Sequence, residues 1–129
     1  MNPNMKVEQM SKTIELRKDI QKLFKEVADK VYYRRAINSN IYPHVVYTIE
    51  DIGEAKSLNI DIWDKSESTE RIEILADEIE KHLKDEVVTN DNHSFILYYN
   101  YDRQWIDDED KNIQRINMTF EIRYYGKEK

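Results

Sequence analysis

The sequence predicts an α+β fold: a single domain of order α-β-β-α-β-β, with two helices packed on one face of a four-stranded, mainly antiparallel sheet. Three observations carry this. Apolar residues recur at helical spacing in two separate stretches. They alternate with polar residues at period two in four others. Turn-forming clusters of Asn, Asp, Ser and Pro divide these stretches, and no internal repeat or second domain is visible.

The first helix rests on Leu16, Ile20, Leu23, Phe24, Val27 and Val31, which follow the i, i+3, i+4, i+7 rhythm. Glu15 with Lys18, Asp19 with Lys22 and Glu26 with Lys30 add favourable charge pairs at helical spacing. Ser11 or Thr13 is placed to cap it, and it is expected to run to about Tyr33. Asn38, Ser39 and Asn40 stop it, because short polar side chains compete for backbone hydrogen bonds.

Pro43 fixes its own φ and pushes Tyr42 into an extended conformation. Val45, Tyr47 and Ile49 then alternate with Val46, Thr48 and Glu50 as the first strand. Asp51-Ile52-Gly53-Glu54 reads as a turn. Leu58, Ile60 and Ile62 alternate with Asn59, Asp61 and Trp63 as the second strand, and an antiparallel hairpin is the simplest pairing.

Residues 66–69 supply candidate N-caps for the second helix, and Glu67 and Glu70 suit the positive end of its dipole. Ile72, Leu75, Ala76, Ile79 and Leu83 form its apolar stripe. Residues 89–92 make a turn. Phe95, Leu97 and Tyr99 give one face of the third strand. Residues 100–112 are a polar, acidic loop. Ile116, Met118, Phe120, Ile122 and Tyr124 alternate with polar residues as a fourth strand with one buried face. The domain is expected to span residues 1–129, with flexible ends at 1–11 and 126–129.

Composition narrows the function. With 129 residues, 40% hydrophobic and 36% charged, the chain can bury a core. Its two Gly leave little for a phosphate-cradling loop, and the absence of Cys removes disulfides, thiolate nucleophiles and Cys-based zinc sites. No cysteine is compatible with assembly in a reducing cytoplasm. A soluble protein is expected, since no apolar run nears the roughly 20 residues that span a bilayer. A net charge of −6 argues against broad phosphate-backbone binding. The charge is uneven. Residues 12–35 hold eight basic and four acidic side chains, whereas residues 36–129 hold eleven basic and twenty-one acidic.

No catalytic motif is present. His44, His82 and His93 fall at a strand start, on a helix and in a turn, without metal-ligand spacing, and structural or solvated roles are expected for them. Asp61 and Asp64 present two carboxylates near a strand end, and Asp107, Asp108, Glu109 and Asp110 form an acidic run. Neither has the alternating ligands and central Gly of a calcium loop. A metal-dependent hydrolase using Asp61 and Asp64 is one alternative, and a small α+β ligand-binding or regulatory module another. The expectation is a protein that is not an enzyme and has no catalytic, cofactor or metal site. Nine Tyr, three Phe and two Trp exceed what a small core hides, and Tyr and Trp are favoured at protein interfaces.

One resemblance adds to this. V-Y-Y-R-R-A at residues 31–36, Y-P-H-V-V-Y-T-I-E-D at 42–51, L-N-I-D-I-W-D at 58–64 and R-I-E-I-L-A-D-E-I-E-K-H-L at 71–83 are similar to stretches of a phage family. It is that of the tail terminator or tail-completion proteins of long-tailed bacteriophages and prophages, also described as minor capsid or tail-to-head joining proteins. Val31, Tyr32, Arg34 and Ala36, then Tyr42 and Pro43, then Ile62, Trp63 and Asp64, and Ala76 with Asp77, match its pattern. His44 replaces the usual aromatic after the proline, and no proline follows Ala36. The likeness spans residues 16–125.

What the resemblance implies is a structural role in the virion. Such proteins form a ring, typically a hexamer, at the head-proximal end of the tail tube, stop its polymerisation and join the filled head. The implied partners are further copies of the chain, the tail-tube protein and a head-connector or head-completion protein, assembled in the bacterial host cytoplasm. No cofactor, membrane or specific nucleic-acid partner is implied, although DNA passes through the ring. Contacts are expected from the 34–42 and 100–112 segments, with Arg34, Arg35, Tyr42, Trp63, Tyr101 and Trp105 as candidate interface residues.

Overall fold

The computed structural model describes residues 3–126, with side chains described from residue 12 onward. The elements are helix α1 (Pro3–Lys25), strands β1 (Val31–Tyr33), β2 (His44–Ile52) and β3 (Ala55–Lys65), helix α2 (Glu70–Leu83), and strands β4 (Val87–Thr89), β5 (His93–Tyr99), β6 (Gln104–Trp105) and β7 (Ile113–Gly126). Residues 1–2 and 127–129 of the expected flexible ends lie outside the described residues. No helix among the described residues is long and apolar enough to cross a membrane.

The α+β class stands, but the four-stranded sheet does not. Among the described residues seven strands form one sheet in the order β1-β2-β3-β7-β5-β4, with β6 beside β7. β1 runs parallel to β2, while the other pairs are antiparallel, so the sheet is mixed. The three additional strands are two or three residues long. Such segments carry too few residues to display alternation, and pairing with an existing edge defines them.

The first helix also differs from expectation at both ends. It begins at Pro3, where a residue lacking N–H loses no helical hydrogen bond, and good helix formers continue through Ser11 and Thr13. It ends at Lys25 rather than near Tyr33. Val27, Ala28 and Val31 still face the core, which is why a helical rhythm ran past the helix. The β-branched and aromatic run Val31-Tyr32-Tyr33 becomes β1. Its register is held by Val45 N donating to Lys30 O at 2.8 Å and Arg34 N donating to Tyr47 O at 2.8 Å.

β2 and β3 form the expected hairpin, with Ile52 opposite Ala55 and a two-residue loop of Gly53 and Glu54. Gly53 takes φ +75°, the left-handed conformation such loops require at their first position. Leu16, Ile20 and Phe24 from α1 enter one core with Ile72, Ala76 and Ile79 from α2. Alternate residues of the sheet, Leu58, Ile60, Ile62, Met118 and Phe120 among them, complete it.

At the floor of that core Tyr47 donates to Gln21 Oε1 at 2.7 Å, and burial raises the pKa of its phenol. His93, fully buried at the start of β5 rather than in a turn, lies 2.7 Å from Asp19 and ties the sheet to α1. Both bonds fasten the first helix to the sheet.

Candidate interaction surface

Alternation along β3 decides what the outer face carries. With Leu58, Ile60 and Ile62 turned to the core, Asn59, Asp61 and Trp63 point the other way. They stand beside Thr48, Val46 and His44 of β2 and Thr119, Asn117 and Arg115 of β7. The described core side chains of both helices pack on the opposite face, and the polar groups of this face bond one another. Arg115 Nε donates to Asp61 Oδ1 at 3.1 Å, and Asn117 Nδ2 donates to the same oxygen at 3.0 Å. The Arg115 guanidinium lies 4.6 Å from the centre of the Trp63 ring, a cation–π contact.

The connection after β1 folds over part of this face. Arg34 adopts φ 73°, which costs a non-glycine residue on the order of 1 kcal/mol. It turns the chain so that Arg35 N donates to Tyr33 O at 2.9 Å. The segment returns through a cis Tyr42-Pro43 bond. His44 Nδ1 lies 2.8 Å from Ile41 O and must carry the proton, because a carbonyl only accepts. The His44 ring is 5.1 Å from Tyr42 and 6.3 Å from Trp63, the latter stacked. Between loop and strand lies a cleft of about 420 Å³, bounded by Arg34, Arg35, Tyr42, His44, Asp61 and Trp63.

Four of the six sequence-predicted residues therefore share one cleft. Tyr101 and Trp105 do not. They belong to the 100–112 segment, which is pinned rather than free. Thr119 donates to Asp102 from both its backbone N, at 2.8 Å, and its hydroxyl. Arg103 bridges to Asp77 at 2.7 Å and Glu80 at 3.2 Å on α2. Ile106 N donates to Arg115 O at 3.0 Å, beside the short β6. The Tyr101 ring sits under Lys84 Nζ at 4.9 Å and is 69% exposed, and Trp105 is 47% exposed. As the pattern of β5 requires, Tyr99 faces the core and Tyr98 is exposed.

The cleft also contains residues that sequence reasoning left out of the site. His44 is read in the sequence as a strand start and as the residue replacing an aromatic after Pro43, Val46 as an alternating strand position, and Asp61 as one carboxylate of the hydrolase alternative. Arg115, which stacks on Trp63 beside the cleft, reads only as an alternating strand position. Their convergence depends on strand register and on β7 lying next to β3, which no local pattern encodes.

Asp61 and Asp64 do not converge. Asp64 points to the inner face, is wholly buried, and accepts from Arg71 Nε at 2.9 Å, from Arg71 Nη2, and from Lys65 N at 2.8 Å. That hydrogen bonding raises the Arg71 pKa. The pair ties the end of β3 to the first turn of α2. Two carboxylates on opposite faces of one strand cannot hold one metal ion. Among the described residues no group of three or more His, Asp or Glu is placed to hold a metal ion.

Fold and surface together describe a small α+β protein with a polar and aromatic outer sheet face and a loop-covered cleft. No protein-family profile matches the chain, and no curated protein matches it. Its fold is similar to that of a chain in the virion of a native gene transfer agent particle, with a TM-score of 0.65 and 15% identity. The likeness covers 81% of this chain and 84% of the other. At that identity what is shared is the fold.

Proposed function

We propose that this chain is a structural, non-enzymatic component of a phage-like virion. On this reading it caps the head-proximal end of the tail tube as a ring and joins tail to head. The observation that carries the reading is the fold likeness to a virion chain over 81% of the sequence. Two features support it further. The polar groups of the outer face bond one another instead of converging on a reacting atom. Aromatic and charged side chains gather in two separate regions, half-buried rings under exposed arginines at the cleft and exposed rings beside acidic residues in the 100–112 segment, as a head-to-tail contact between identical subunits requires.

Disrupting the gene in the element that encodes it tests the role. Electron microscopy of the lysate is expected to show filled heads and separate tubes of uncontrolled length. Normally joined particles of normal length would remove the proposal.

The small ligand-binding module is the second reading, because the cleft has the volume of a ligand site. Two of its polar wall groups are already engaged, Asp61 by Arg115 and His44 Nδ1 by Ile41 O, while Arg34 and Arg35 stand at the rim.

A further inference from the structure

We propose that the cleft under Arg34 and Arg35 receives residues 105–110 of a second copy of this chain. The inference rests on the ring-forming reading above and adds the contact itself. Among the described residues, no ion pair involves Arg34 or Arg35, and none involves Asp107, Asp108, Glu109 or Asp110. The basic rim and the acidic run are thus complementary charges left unsatisfied within one subunit.

The apolar parts match as well. Tyr42, His44 and Trp63 line the cleft with aromatic surface, and Trp105, half exposed, immediately precedes the acidic run. An extended chain advances about 3.3 Å per residue, so an indole seated among those rings puts Asp107 and Asp108 roughly 7–10 Å further along, within reach of the arginine rim. Aromatic anchors flanked by charge-assisted pairs are the usual energetic centre of an interface.

Both sides are pre-shaped. The left-handed Arg34 and its bond to Tyr47 set the rim. On the other side Ile106 N donates to Arg115 O at 3.0 Å, Asp110 N donates to Asp108 at 3.0 Å, and Asn112 N donates to Asp110 at 2.9 Å. Binding then orders little additional chain, which lowers its entropic cost. Because cleft and segment are different patches, repetition gives a closed ring or an open row.

The chain has no cysteine, so single thiols report proximity without background. Full-length Ser39→Cys and Gln104→Cys chains, which keep the arginines and aromatic rings of the cleft and residues 105–110 and change only a small side chain of the cleft wall, are mixed at high concentration with a short bismaleimide. Cross-linked dimer is expected to form at least five-fold faster than in a mixture of the exposed Glu54→Cys and Glu67→Cys chains. Adding Arg35→Glu to the Ser39→Cys chain should remove most of that excess. A rate equal to the control, or an excess indifferent to Arg35→Glu, overturns the contact. Failure of the wild-type chain to cap tail tubes, with the cross-link intact, would instead strike the virion role and leave the contact standing.

Discussion

Asp61 and Asp64 stand on opposite faces of β3, each bonded to a different arginine: Asp61 to Arg115 across the sheet, Asp64 to Arg71 at the start of α2. The outer pair organises the exposed face, and the inner pair locks a helix to the core.

Removing Arg71 leaves a buried carboxylate with Lys65 N as its remaining hydrogen-bond donor. Breaking a fully buried pair costs about 3–5 kcal/mol, and since the arginine side chain is half in solvent we expect about 2 kcal/mol for Arg71→Ala. Urea unfolding measures it. A loss below about 0.5 kcal/mol, the level of an ordinary surface change, would contradict the lock.

Asp61→Ala frees Arg115 from the carboxylate that aligns it over Trp63. In a Trp105→Phe background, Trp63 is the remaining indole, and its emission should shift as the cation leaves the ring. An unchanged spectrum would mean that Arg115 holds its place without Asp61.

Gly53→Ala tests the hairpin turn alone, since a Cβ there would meet nothing within 4 Å. The cost is purely conformational, about 1 kcal/mol for forcing alanine to φ +75°. A stabilised variant would show that the turn relaxes to a different geometry.

Tyr47 supplies a pH dependence. Its folded-state pKa lies above the ordinary 10.0 because burial penalises the phenolate, so the fold binds this proton more tightly than the unfolded chain. The associated stability is complete below pH 10 and falls as pH rises beyond it; Tyr99 and Tyr124, raised by burial too, act with the same sign. Tyr47→Phe cannot ionise and should flatten the alkaline fall, while losing about 1–2 kcal/mol at neutral pH because Gln21 Oε1 loses its donor, although Gln21 Nε2 still bonds Val31 O. Parallel alkaline curves for both proteins would refute this.

The elements with long periodic patterns were legible in the sequence. The stripe of Ile72, Ala76, Ile79 and Leu83 marks α2, and the alternation of Ile116, Met118, Phe120 and Ile122 marks β7. What escaped was tertiary. Val31 continues a helical rhythm yet lies in a strand, because a turn after Lys25 carries Val27 and Ala28 onto the same core that Val31 then reaches from β1. β4 and β6 exist only because β5 and β7 offer them edges. Arg34, Arg35, Tyr42 and Trp63 could be chosen as exposed or aromatic residues, but the cleft needed the register that sets His44 opposite Trp63 and Trp63 opposite Arg115.

Tail tubes polymerised from purified tube protein, imaged by electron microscopy with and without this chain, test the virion role most directly. Wild-type protein should add density to one end of each tube and limit its length. Trp105→Ala should weaken that capping while shifting Tm little, because Trp105 lies at the surface. Bare tube ends and unchanged lengths at saturating wild-type protein would contradict the proposed role.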